Sequence, residues 1–347
     1  MVPFYLGIDL HLKRTFMVLM NANGEVIDKQ RITNQEITTY LQEKVPQETY
    51  AVLEATRNWP FMYDLLHEHV QQVDLVHAKA VRTIANAAVK TDQIDASTLA
   101  HLARLNYIPK AYAAPKETRD LRQLLRHREW MVNQRSKAKN RIHAVLAGYN
   151  LVSPVTDLFG VAGRKYLDEV LQTELRPAAR QVVSDHLSII DHLSERIQSL
   201  EKGISLSEAQ TCVMRLLMSM PGVGKLIAMI LLAEIGDIER FNSPKALCSW
   251  AGLTPKVHSS DAVVQHGHIT KEGSRYLRTA MVRAATVACR VSPKWYVTHS
   301  HLALHCERRS ARVAVARRLL SVIYYMWKRD QPYQENYEQD QPEALGA

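Results

Sequence analysis

The sequence predicts an α/β domain followed by a longer, mostly helical remainder. Three observations predict it. Short apolar runs containing β-branched residues alternate with helical patterns up to about residue 105 and not beyond. A long helical pattern free of Gly and Pro begins just after Pro115. The charge is also unevenly placed. The chain of 347 residues carries 44 Lys+Arg against 35 Asp+Glu, a net charge of +9 with a pI near 9.3. Residues 1–110 hold 11 basic and 12 acidic side chains, which leaves 33 basic and 23 acidic for the rest. The first third is close to neutral and the remainder is basic, so chemistry and grip on an anionic partner are expected in different parts.

Taken in order, Phe4–Leu10 and Thr15–Met20 read as strands. Asn23-Gly24 is a hairpin signal, with Glu25–Ile32 as a more polar returning strand. Glu36–Lys44 reads as a helix, Tyr50–Ala55 as a strand, Trp59–Val70 as a helix and Val73–His77 as a strand, followed by helical patterns over Val81–Val89 and Asp95–Leu105. An antiparallel meander followed by βαβ units makes a mixed layer fold, in the element order of ribonuclease-H-like domains.

Beyond Pro115, Thr118–Leu146 is a helix bearing Arg119, Arg122, Arg126, Arg128, Arg135, Lys137, Lys139 and Arg141 against Asp120 and Glu129. In Ala178–Leu200 and just after it, Leu187, Ile190, Leu193, Ile197, Leu200 and Ile204 form a heptad-like seam. The two segments are expected to pair as an antiparallel helical hairpin or to form a dimer interface. The basic helix is either a solvated face or a nucleic-acid-binding one, through residues such as Arg122, Arg126, Lys137 and Arg141. From Cys212 the pattern is compact and helical: Met214–Met220, Lys225–Ile235, Ser274–Arg290 and Ser310–Lys328, with Pro255–His268 as a loop and a polar, acidic tail after Asp330.

Several classes are set aside. The 4 cysteines are widely spaced with no C-x-x-C, which argues against a disulfide scaffold or zinc ribbon and fits a reducing cytosol. Met1–Leu10 lacks the charged-then-apolar pattern of a signal peptide, and Leu226–Ala233 is too short to span a bilayer.

The carboxylates of the first domain carry the strongest chemical signal. Asp9 and Glu54 each sit in an otherwise apolar strand, where a carboxylate is unfavourable unless paired or bound to metal. Asp92 and Asp95 share one helix face. Four acids converging at one sheet end repel one another, and Mg²⁺ suits such a sparse carboxylate site. Two such ions clamp the attacking and leaving oxygens of a phosphodiester.

Two further segments bear on nucleic acid. Met220-Pro221-Gly222-Val223-Gly224-Lys225 resembles a helix–hairpin–helix turn, where Gly222, Gly224 and Lys225 present backbone N–H groups and charge to a phosphate; the plainer reading is an ordinary tight turn between helices. Ser259-Ser260-Asp261 lies among His258, His266 and His268 and precedes Lys271, Arg275 and Arg278. A serine needs an activating base or metal to act as a nucleophile, and from these residues alone a polar surface loop is the simpler reading.

The residues together resemble the DEDD transposases of the insertion-sequence-110 type, which are RuvC-like. The matching segments are Leu6-Gly7-Ile8-Asp9, Leu53-Glu54-Ala55-Thr56, Lys90-Thr91-Asp92-Gln93-Ile94-Asp95-Ala96, Met220–Gly224, Ala251–Pro255, Ile269–Gly273 and Arg312–Leu320. The resemblance implies a DNA recombinase that moves its own element. It implies Asp9, Glu54, Asp92 and Asp95 as Mg²⁺ ligands and Ser260, with Ser259 as its rival, as the nucleophile forming a covalent phosphoserine link. It also implies a guide (bridge) RNA pairing with donor and target DNA, and homodimers that join into homotetramers sharing active sites. The chain differs from the family pattern at Arg57 and Asp261, where glycine is usual.

On this reading residues 1–112 form the RuvC-like catalytic domain and 113–207 a basic, coiled-coil-like helical segment. Residues 208–333 form the C-terminal transposase domain and 334–347 a polar tail, in a cytoplasmic protein with no membrane partner. Two other readings remain: a Holliday-junction-resolvase-like metal-dependent nuclease that uses water, and a non-catalytic nucleic-acid-binding protein.

Overall fold

The computed structural model describes residues 3–84, 91–260 and 263–335, with side chains left out at 79, 82, 257–260 and 263–266. The chain forms two compact units, Met1–Ala114 and Pro115–Ala347.

The first unit is a six-stranded sheet of order β3-β2-β1-β4-β5-β6. β1 (Phe4–Leu10), β2 (Arg14–Asn21) and β3 (Val26–Thr33) form the antiparallel meander. The Asn23-Gly24 turn joins β2 to β3, with Gly24 at φ +88° and the Asn21 side-chain oxygen accepting from the N–H groups of Asn23 and Glu25. α1 (Ile37–Lys44) leads to β4 (Thr49–Glu54), which pairs parallel with β1; α2 (Trp59–His69) leads to β5 (Gln72–Val76), parallel with β4. α3 (Ala78–Ile84) and α4 (Asp92–Arg104) follow, and a short β6 (Lys110–Ala111) closes the sheet. The expected helix over Val81–Val89 is described only as far as Ile84; the rest lies outside the described residues.

Both faces of the sheet are covered, which explains why β1 and β4 read as nearly continuous apolar runs. Leu6, Ile8, Met17, Leu19 and Leu53 pack against Ile37, Tyr40 and Leu41 of α1 and Met62 and Leu66 of α2. Tyr5, Tyr50 and Val52 pack on the opposite face with Leu99, Leu102 and Ala103 of α4.

The second unit begins with α5 (Lys116–Gly148), α6 (Val161–Thr173) and α7 (Pro177–Gly203). Ala138, Ile142 and Leu146 of α5 meet Val183, Leu187 and Ile190 of α7, with Leu167 and Val170 of α6 completing the cluster. Arg128 bonds Glu201 at 2.5 Å and Arg135 donates to Ser194 at 3.1 Å, so α5 and α7 run antiparallel. The apolar seam read from the sequence therefore packs within the chain.

The C-terminal part holds α8 (Glu208–Met218), α9 (Lys225–Ile235), α10 (Pro244–Trp250), α11 (Arg275–Val291), α12 (Pro293–Leu302) and α13 (Arg308–Arg329). Its core joins Leu231, Ile235, Met281, Ala284, Trp295, Leu319 and Ile323. α6, α10 and α12 lie where no helix was expected. Pro255–His268 is corrected from a loop to an antiparallel hairpin, β7 (Pro255–Ser260) with β8 (Val263–Ile269). Its Val257, Val263 and Val264 favour strand, but their alternation is broken by Ser and His, which read as loop residues. No helix among the described residues is long and apolar enough to cross a membrane.

Candidate active site

The acid cluster follows from how α4 lies on β1. Gly7 has no side chain, and a Cβ there would meet the Ala96 carbonyl oxygen at 1.9 Å and the Ala100 nitrogen at 2.6 Å. The helix therefore rests on the strand backbone. One turn back from Ala96 is Asp92, about 6 Å along the helix axis. Two residues on from Gly7 is Asp9, about 6.6 Å along the strand. The two steps match because α4 runs against β1, and they bring the acids together. Thr91 fixes the start of α4 by accepting a hydrogen bond from the Ile94 N–H at 3.2 Å. Asp95 lies in the same first turn.

β1 and β4 run parallel with Ile8 beside Leu53, so Asp9 and Glu54 are the next residues on neighbouring strands. Strand alternation puts Tyr50, Val52 and Glu54 on the α4 side, as it does Tyr5, Gly7 and Asp9. Both carboxylates are half-buried at the sheet end.

Sequence reasoning missed two members of this cluster. His11, just past β1, places Nε2 3.1 Å from Asp9 and 3.5 Å from Asp92. Arg31 on β3 reaches Asp92 at 3.3 Å. The spacing Asp9-x-His11 was a usable signal for the first, since residues two apart in extended chain share a face. The second depends on strand pairing and had no local signal.

Burial pushes the Asp9 carboxyl above the ordinary aspartate range; His11 pulls it down, while Asp92 and Asp95 push it further up. Burial and the neighbouring acids thus both disfavour the ionised form of Asp9. Ligand atoms of Asp9, His11 and Asp92 all lie within 4.8 Å of one another. A donor set of carboxylate oxygens with one imidazole fits a divalent cation.

In the second unit, α8 and α9 flank the glycine hairpin. Gly222 has φ +86°, and a Cβ there would meet the Ala284 carbonyl oxygen at 2.2 Å, so both its conformation and its packing on α11 require glycine. Gly224 is the N-cap of α9, and it and Lys225 are exposed. They line a groove of about 680 Å³.

The basic residues named from the sequence separate into two groups. Arg122 donates to the carbonyl oxygens of Ala233 (2.9 Å) and Glu234 (3.4 Å) at the end of α9. Arg126 makes a two-pronged bond to the buried Glu234 carboxylate at 2.8 and 2.9 Å. These two arginines hold the second unit together. Lys137, Arg141, Lys271 and Arg275 are exposed. Ser259 and Ser260 occupy the last positions of β7, where Ser260 pairs with Val263; their side chains lie outside the described residues.

Comparison with known proteins places this arrangement. The model of the IS110-type DEDD transposase matches residues 6–151, and that of the IS116/IS110/IS902 transposase family matches residues 214–299. The chain is 24% identical to a transposase for insertion sequence element IS1328 of Yersinia enterocolitica, over 81% of this chain and 83% of the relative. It is 27% identical to a transposase for insertion sequence element IS1111A of Coxiella burnetii, over 70% of this chain and 68% of the relative. A pilin gene-inverting protein of Moraxella bovis is 24% identical over 95% of this chain and 97% of its own. The fold and the acid-bearing motifs thus belong to a DNA-recombining enzyme. The chain belongs to the IS110 family of DEDD transposases.

Proposed function

We propose that this transposase cuts and rejoins DNA with Mg²⁺ at the four acids and a serine nucleophile at the β7–β8 hairpin. The observation that supports it most is the meeting of Asp9, His11 and Asp92 within 4.8 Å, with Asp95 in the same helical turn and the Asp9 carboxyl pushed up by burial. Asp9, Glu54, Asp92 and Asp95 would hold the metal. The chemistry a divalent ion held there would supply is positive charge beside phosphodiester oxygens on which negative charge builds.

The chain's own residues carry the rest of the chemistry. His11 hydrogen-bonds Asp9 and fixes that carboxylate's orientation. Ser260, or Ser259 beside it, attacks a backbone phosphate; its Oγ–P bond forms as one P–O ester bond breaks, the serine proton passes to a base, and the departing oxygen takes up a proton to leave as a free hydroxyl end. The hairpin histidines are candidate bases. Attack by the freed hydroxyl of another strand reverses the step and joins new ends, releasing the serine. Exposed Lys137 and Arg141 on α5 suit a phosphate backbone, and a guide RNA is the proposed occupant of that helix. The working assembly is a homodimer or homotetramer in the cytosol, built from domains 1–112, 113–207 and 208–333.

The test is strand cleavage of element-end DNA by the purified chain with any copurifying RNA. Asp9→Asn, Glu54→Gln, Asp92→Asn and Asp95→Asn each lose at least 100-fold in cleavage rate, as does removal of divalent metal by chelation. Wild-type rates in any of the four variants remove that residue from the site. Absence of a defined copurifying RNA in active protein removes the guide.

A further inference from the structure

We infer that the groove between the base of the β7–β8 hairpin and the start of α13 is a binding site for the phosphate backbone of DNA. The groove holds about 410 Å³ and is lined by His268, Lys271, Arg309 and Arg317 over an apolar floor that includes Pro255 and Val313. Among the described residues, no carboxylate lines it. Among the described residues, the side chains of Lys271, Arg309 and Arg317 make no ion pair. By contrast, Arg126, Arg128, Arg164 and Arg283 of the same unit are all neutralised by acids. Three unneutralised cations on one concave surface call for an anion from outside.

The groove is built on rigid elements. Lys271 is held at φ +55° with its N–H bonded to the Gly252 carbonyl at 3.3 Å, and Thr270 and Ser274 anchor either side of it on Thr254 and Trp250. The Arg317 carbonyl accepts from the buried Cys248 thiol at 3.5 Å, inside the core packing of α10 on α13. The cations therefore stand on backbone that is already ordered before binding.

At the edge of the groove Arg308 adds a further cation beside Arg309 in the first turn of α13, whose N-cap is Glu307.

DNA is favoured as the occupant because the groove lies at the base of the hairpin whose tip carries Ser260. This inference rests on the reading of that serine as the nucleophile. From Pro255 to Ser260 the strand spans about 16 Å, or about five nucleotides of duplex. A phosphate seated in the groove would thus hold the strand a few nucleotides from the one attacked.

The experiment measures affinity of the full chain for a 30-base-pair DNA duplex by fluorescence anisotropy over a series of NaCl concentrations. The triple variant Lys271→Gln, Arg309→Gln, Arg317→Gln is expected to flatten the slope of log K against log salt by about three units, near 0.9 per contact. The charge-keeping variant Lys271→Arg, Arg309→Lys, Arg317→Lys keeps the slope, and thermal melting confirms that both variants fold. An unchanged slope in the folded Gln variant overturns the site, as does a loss confined to single-stranded RNA of equal length. A Ser260→Ala chain that forms no adduct and keeps its slope supports both the groove and the nucleophile. A Ser260→Ala chain that still forms adducts while the Gln variant loses slope leaves the groove standing and removes the serine.

Discussion

Gly7 and Ala96 touch backbone to backbone: a Cβ on Gly7 would lie 1.9 Å from the Ala96 carbonyl oxygen. This contact sets the height of α4 over β1 and, one turn away, brings Asp92 to Asp9. Neither atom at the contact is the movable end of a side chain, so a methyl group there must displace the helix. Gly7→Ala is expected to destabilise the first unit by about 3 kcal/mol. Calorimetry should also show divalent-metal binding weakened by at least tenfold, although no ligand has changed.

The raised Asp9 carboxyl implies that its ionised form opposes folding of the metal-free chain. For an acid whose folded pKa is raised, stability is fully present below the unfolded value and falls as pH rises through the folded one. Asp9→Asn should therefore raise Tm at pH 7. The gain should disappear below the unfolded-state value near 3.8, where Asp9 is already protonated. Melting curves at several pH values in chelator check it, and an equal gain at both ends of the range would refute it.

Glu234 is 3% exposed and accepts from Arg126 and from Ser274, which in turn caps α11. Glu234→Ala should cost about 2–3 kcal/mol, less than a fully buried pair because the Arg126 guanidinium still reaches solvent. Urea unfolding measures it. Arg126→Lys should recover only part of the loss caused by Arg126→Ala, since an ammonium cannot reproduce the two-pronged contact.

The four cysteines differ sharply in access. Cys212 and Cys306 are exposed, whereas Cys248 is buried. Burial pushes the Cys248 and Cys289 thiols upward, so less of each is thiolate near neutrality. A thiol-specific reagent should modify Cys212 and Cys306 first, Cys289 more slowly, and Cys248 only on unfolding. Mass spectrometry of timed aliquots reads the order.

Much of the first unit was legible because its signals are local. Asn23-Gly24 fixes a hairpin, apolar runs fix strands buried on both faces, and the i, i+3 spacing of Asp92 and Asp95 fixes their shared turn. The acids stood out because a carboxylate in an apolar strand needs a reason. What was not legible depends on partners distant in sequence. Arg31 reaches Asp92 only through the pairing of β3, and Arg122 and Arg126 are drawn from a solvated basic face to α9 by Glu234, more than a hundred residues away. α10 and α12 are short helices begun by proline, with too few turns to show a period. The β7–β8 hairpin was hidden because serine and histidine interrupt its valines.

The most direct measurement is the covalent adduct between this chain and DNA. Element-end DNA labelled on one strand is incubated with the purified chain and Mg²⁺, and the products are resolved under denaturing conditions. The account predicts a protein-linked label whose phosphopeptide maps to Ser260, absent in Ser260→Ala and in Asp9→Asn, with both variants still folded. Cleavage that proceeds without any protein-linked label, and survives the loss of both Ser259 and Ser260, would contradict it.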